Sequence, residues 1–218
     1  AQGWPAPRVH VATWPARQST QAHGPAPLLI GADLPPLDPP RDVVEMSSQR
    51  LLWELISDEL ARDPFTLGTS ILDYLHARMK RLNIAPATLD QRRFIDELIA
   101  PAYARGLAEL LKRSSVPLRC AGTGWDAIES LASFATGPLT GRDAFHDVVS
   151  CASALVHVWP TTCAHPIDHQ GLPVVRASAG RERFLRDAKL AVVGKFDIGC
   201  PPASPLSAEL LSAVTKHL

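Results

Sequence analysis

Neither sign of charge is in excess in this chain: 22 Lys and Arg stand against 22 Asp and Glu in 218 residues. That balance gives no pull toward nucleic acid or an anionic membrane surface, although a local anion pocket stays open. Long apolar runs are missing as well. No stretch approaches the roughly 20 residues of a membrane-spanning helix. The opening AQGWPAPRVH has neither the charged head nor the apolar stretch of a signal peptide. The expected setting is therefore cytoplasmic. Cysteine is scarce, and Cys120, Cys151, Cys163 and Cys200 show no CxxC spacing. A chain this long can bury its own core, so a disulfide framework is not expected and reduced, mostly buried thiols are. Also absent are a GxSxG elbow, a Walker-type phosphate loop, HExxH and any carboxylate pair at a recognisable spacing, which counts against hydrolase, NTPase and protease chemistry.

What is present is uneven along the chain. Many of the 20 prolines fall in residues 1–40, where only RVHVAT (Arg8 to Thr13) and APLLIGADL (Ala26 to Leu34) look like strands. The first is a linker strand and the second a core strand. PLLIG is apolar throughout, as expected of a strand covered on both faces, and Gly31 stands where it ends. Residues 1–25 are expected to be a linker or the tail of a preceding domain, and residues 26–218 one domain that includes a helical segment at 46–113. The chain begins without Met on a Trp- and Pro-rich stretch, which reads as part of something larger.

Residues 46–113 carry apolar side chains at three- and four-residue spacing in SSQRLLWELISDELA, TLGTSILDYLHARMKRL and LDQRRFIDELIAPAYARGLAELLKRS. Ser47 or Ser48 is a candidate cap for the first helix, and Thr66 or Thr69 for the second. Asn83 with Pro86 beyond it stops the second, and Pro101 begins or kinks the third. Trp53, Leu55, Ile56, Ile71, Leu72, Leu75, Phe94, Ile95, Leu98, Leu107 and Leu110 are the predicted core of this layer. After Pro117 the texture changes to short strands and helices. In order these are LRCAG, a helix near 126–134, a strand at 136–139, a helix at 142–152, ALVHVW, LPVVRA, a helix at 181–188, LAVVG and a last helix at about 207–217. Strands alternating with helices at this spacing predict an α/β fold, a Rossmann-like parallel sheet flanked by helices and joined by right-handed crossovers.

The polar loops between these strands hold the candidate site residues. Gly122, Thr123, Gly124 and Trp125 follow LRCA. The two glycines let backbone N–H groups approach a phosphate closely, or they make a tight turn that binds nothing. Trp125 stacks on a base or sugar ring, or it covers the core. The loop TTCAHPIDHQG carries Cys163, His165, Asp168, His169 and Gly171. Cys163, His165 and His169 have the chemistry of zinc ligands, but a fourth ligand and paired cysteines are lacking, so no metal is expected. His165, Asp168 and His169 either hydrogen-bond sugar or ribose hydroxyls or tie the loop together. Arg176, Arg181 and Arg183 follow the next strand, where a cation can neutralise a diphosphate or simply face water.

In this order, LRCAGTGWD, RDAFHDVVSCASALVHVWP, CAHPIDHQGLPVV and RERFLRDA resemble the carboxyl-terminal, donor-binding half of a GT-B glycosyltransferase, in particular the spore-maturation, CgeB-like group. The resemblance runs from Pro27 to Val193. It implies that Gly31, the Gly122 to Trp125 loop and Gly171-Leu172-Pro173-Val174 face a nucleotide-sugar diphosphate. His165, Asp168 and His169 stand where relatives place a glutamate for the ribose. It further implies transfer of a sugar without a metal or other cofactor, the nucleotide sugar being the donor substrate. The catalytic base would belong to an amino-terminal half, and no catalytic residue is identified in this chain. Two other readings stand beside it. One is a non-catalytic module that binds protein or carbohydrate through helices 46–113. The other is a small metal-dependent enzyme built on Cys163, His165 and His169.

Overall fold

Short runs of Leu, Ile and Val with no polar alternation form strands where helices cover both faces of a sheet. The protein, described here from a computed structural model, shows this over residues 26–36, 38–68, 70–140, 142–158 and 173–193. Strands β1 (Leu28–Gly31), β2 (Leu118–Ala121), β3 (Ala135–Gly137), β4 (Ala154–His157) and β5 (Val174–Arg176) make one five-stranded sheet. Every neighbouring pair is parallel, in the order β3-β2-β1-β4-β5. The α/β, Rossmann-like expectation is thus the observed fold. RVHVAT and the helix expected at 207–217 lie outside the described residues.

The chain between β1 and β2 is the helical segment, comprising α1 (Arg41–Glu45), α2 (Ser47–Arg62), α3 (Ile71–Arg81), α4 (Gln91–Phe94) and α5 (Ala100–Arg113). After β3 come α6 (Arg142–Ser150) and, after β5, α7 (Arg181–Val192). Alternation along the strands sorts the two faces. Leu28 and Ile30 of β1, Leu118 and Cys120 of β2, Ala154 and Val156 of β4 and Val175 of β5 join the large core that holds Trp53, Leu60, Leu107 and Leu111. Helix α7 adds Phe184, Ala188 and Ala191 to the same core, and Phe184 meets Phe65 edge to face at 5.8 Å. Leu29, Ala121 and Leu155 point the other way, toward Val148 and Val149 of α6. The inserted helices are therefore one covering layer of the sheet.

Several local expectations change. Trp53, Ile56, Leu75, Phe94, Leu98, Leu107 and Leu110 are buried, but Leu72 is 50% exposed. It lies at the border of the α3 stripe, whose buried members are Tyr74, Leu75 and Met79. Ser70, rather than Thr66 or Thr69, caps α3, its Oγ accepting from the Asp73 N–H at 3.2 Å. Ser47 already lies inside α2, whose cap position is Met46 with no side-chain hydrogen bond. Between α4 and α5 the helix continues through a π-turn at Ile95–Ile99, where the Ala100 N–H donates to Ile95 O. Pro101 has no N–H to donate, and the widened turn absorbs it without breaking the rod. The helix expected near 126–134 is a series of tight turns ending in a 3-10 turn, Ala132–Phe134. LAVV is the end of α7, not a strand.

Two polar clusters tie the helical layer together. Glu59 on α2 accepts from Tyr74 Oη at 3.0 Å and from Arg78 Nε at 2.8 Å, and the Arg78 guanidinium lies 4.0 Å from the Tyr74 ring centre. At the other end, Arg93 grips Asp42 with both terminal nitrogens and Glu97 with Nε. The hydrogen bond from Arg93 holds the Asp42 carboxyl below its ordinary value of 3.8. A carboxyl depressed in the folded state stabilises above its unfolded value and loses that contribution as pH falls through the folded one. Acid unfolding of Asp42→Asn and the parent protein should therefore show a gap in midpoint stability near neutrality that closes below pH 3.8. An unchanged gap at low pH would remove this ion pair from the stability of the layer.

Candidate functional site at the carboxyl edge of the sheet

In an open parallel sheet the loops after two neighbouring strands diverge where the strand order reverses, and the crevice there is where ligands bind. With β1 flanked by β2 and β4, the reversal lies between β1 and β4. Ile30 is paired with Val156, so Gly31 and His157 follow side by side at the carboxyl edge. His157 is in turn paired with Arg176 of β5. Alternation places all three on the α6 face of the sheet. His157 is 4% exposed and Arg176 partly exposed. A residue without a side chain, an imidazole and a guanidinium thus form one row at the switch point.

On the β2 side the edge is closed by the fold itself. Beyond β1 and β2 the backbones stay bonded, with Ala32 N–H donating to Ala121 O at 3.0 Å and Leu34 N–H to Thr123 O at 2.9 Å. Asp33 Oδ1 accepts from the Thr123 N–H at 2.8 Å and from Thr123 Oγ1 at 2.9 Å. The Gly122 N–H donates to Gly137 O at 3.0 Å. These two N–H groups are thereby engaged within the fold rather than pointing free into an anion. The glycines have a steric reason to be there. A Cβ on Gly122, at φ +122°, would lie 2.1 Å from Ala32 O, and one on Gly124, at φ +81°, 2.0 Å from Leu34 O.

Trp125 is fully buried, and its Nε1–H donates to Ala32 O at 2.7 Å. Of its two readings the core one is what the structure contains: the ring lies under the loop and offers no face to a ligand. Cys120, on β2 below this loop, is buried, and that burial together with the nearby Glu109 charge pushes its thiol up to about 12. It stays protonated and is no nucleophile at neutral pH.

Arg181 and Arg183, both on α7, have carboxylate neighbours. Arg181 lies 3.8 Å from Asp63 and Arg183 3.6 Å from Asp187. Arg176 is the arginine of this group that reaches the switch-point row. Cys163, His165, Asp168, His169 and Gly171 lie outside the described residues, in the segment that leaves β4 at the switch point and returns to β5. Among the described residues no group of three or more His, Cys, Asp or Glu could hold a metal ion, and no helix is long and apolar enough to cross a membrane.

Asp33 and His157 were not singled out by sequence reasoning. His157 is the one polar residue of an apolar strand, ALVH, and that was its signal. Asp33 gave none, because its partner Thr123 is 90 residues away. Compared with known proteins, the chain matches no family model, no curated protein and no solved structure.

Proposed function

We propose that this chain is the donor-binding half of a GT-B-type glycosyltransferase, and that a nucleotide sugar binds across the β1/β4 switch point. The observation that carries this reading is the row Gly31, His157 and Arg176 at the carboxyl edge. Gly31 leaves room for the ligand, and the Arg176 guanidinium supplies a planar fork that matches a diphosphate. His165, Asp168, His169 and Gly171, which fall between β4 and β5 in the sequence, are the proposed partners of the sugar or ribose hydroxyls. Catalysis in such a site comes from positioning the donor and stabilising the departing diphosphate, while the base comes from an amino-terminal half. A cytoplasmic setting belongs to the same proposal.

The engagement of the Gly122 and Thr123 N–H groups inside the fold favours a second reading, a module that keeps the fold and binds without catalysing. Calorimetric titration with UDP, GDP and their sugar conjugates separates the two from an empty fold. One nucleotide should bind saturably, and Arg176→Gln should weaken it by about tenfold, the loss of a charge-assisted hydrogen bond. No heat from any of them at millimolar concentration, or full affinity in Arg176→Gln, would reject the donor site. Binding of a free sugar but of no nucleotide would favour the module.

A further inference from the structure

Away from the switch point, α2 and α5 cross at very short range. A Cβ on Gly106 would lie 2.4 Å from Leu60 O, so these helices meet backbone to backbone. Residues of both helices, with Asp38, line a cavity of about 220 Å³: Asp38, Ser57, Asp58, Ala61, Ala102 and Arg105. Helix α5 ends at Arg113, just before β2 begins at Leu118. Its opening turns, with Ala102 and Arg105, therefore stand on the carboxyl side of the sheet. Asp38 comes from the segment that leaves β1 on that same side.

The polar groups here are not satisfied by one another. Ser57 Oγ and Arg105 Nε are buried and have no hydrogen-bond partner, and among the described residues no carboxylate lies in ion-pair range of Arg105. Buried polar atoms in native folds are nearly always paired, and a buried donor left without a partner is costly, the more so when it is charged. Asp38 and Asp58, both exposed, line the same cavity. A cation and two anions thus share one small space without closing it.

We infer that this cavity is a binding site for a small amphoteric molecule, an α-amino acid or a short amino carboxylic acid, with its carboxylate on Arg105 and its ammonium between Asp58 and Asp38. A carboxylate accepts two parallel hydrogen bonds from a guanidinium and suits the Arg105 end. The two aspartates carry one more negative charge than Arg105 offsets, which disfavours a dianion and favours a ligand that brings a cation. The lining holds no aromatic face for the apolar side of a sugar ring, and the volume is below the roughly 300 Å³ of ordinary cofactor sites. This site is independent of the proposed donor site, and neither depends on the other.

The test is calorimetric titration of the whole chain with glycine, L-alanine and γ-aminobutyrate, alongside acetate and ethylamine as the two half-ligands. At least one amphoteric probe should bind saturably at millimolar concentration and more tightly than either half. Arg105→Gln and Asp58→Asn should each weaken it by about tenfold. Asp58 is exposed, so its variant keeps the test valid if Arg105→Gln melts early, with circular dichroism reporting the fold. Absence of binding by all three amphoteric probes, acetate binding as tightly as they do, or binding indifferent to Asp58→Asn would each overturn the inference.

Discussion

Alanine at Gly124 is expected to lower the stability of the whole protein by about 3 kcal/mol or more, the upper range for a forced contact in a packed site. Its Cβ would lie 2.0 Å from Leu34 O and 3.0 Å from the Leu34 carbonyl carbon. Those atoms are backbone, and the Leu34 N–H is itself bonded to Thr123 O, so the loop cannot yield without losing that bond. Gly137 is the control. It also has a positive φ, +74°, but an added Cβ meets nothing within 4 Å, so its alanine variant should lose only the left-handed strain, about 1 kcal/mol. Urea unfolding of the two variants beside the parent measures the difference. Equal losses would mean that Gly124 is required only for its backbone angle. Because the expected loss is structural, a Gly124 variant is no clean probe of ligand binding, whereas Arg176→Gln is.

The second large effect has an unexpected sign. Replacing a glycine in the middle of a helix by alanine ordinarily stabilises it by about 1 kcal/mol. Gly106 sits inside α5, yet Gly106→Ala should destabilise by about 2–3 kcal/mol net of that gain. The added Cβ would stand 2.4 Å from Leu60 O and 3.2 Å from Pro64 Cβ. Relief requires α2 and α5 to move apart, and between them they hold Leu52, Trp53, Ile56, Leu60, Leu107 and Leu111 in the core. A thermal melt settles the matter by sign alone. A rise in melting temperature would show that the helices part freely, and a fall of several degrees would confirm a backbone contact under compression.

The elements of this fold were legible wherever a segment's own pattern was unambiguous. LLIG and ALVH are apolar without alternation because helices bury both faces of the sheet, and that signature needs no knowledge of neighbours. The spacing of Trp53 and Ile56 in α2 was equally readable, since a helix that covers a sheet writes its buried stripe into the chain, although Leu55, assigned to the same core, is only partly buried. LAVV misled because a short apolar run has no period of its own. Only packing shows that α7 runs on to Val192. Leu72 misled for a related reason: spacing locates a stripe but not its border.

The candidate site was legible in part. Gly31 and Arg176 could be placed at strand ends from the runs before them, but nothing local says that β1 lies beside β4, or that His157 stands between Gly31 and Arg176. The glycines of the Gly122 to Trp125 loop were visible, while their reason was not. Ala32 O and Leu34 O, the atoms they make way for, lie about ninety residues earlier in the chain. What the amino-acid order determined by itself is the alternation of buried strands and amphipathic helices, because burial and periodicity are properties of neighbouring residues. The tertiary structure alone decided strand order, the row at the switch point and the close crossing at Gly106, because each is a contact between segments whose separation in sequence leaves no local trace.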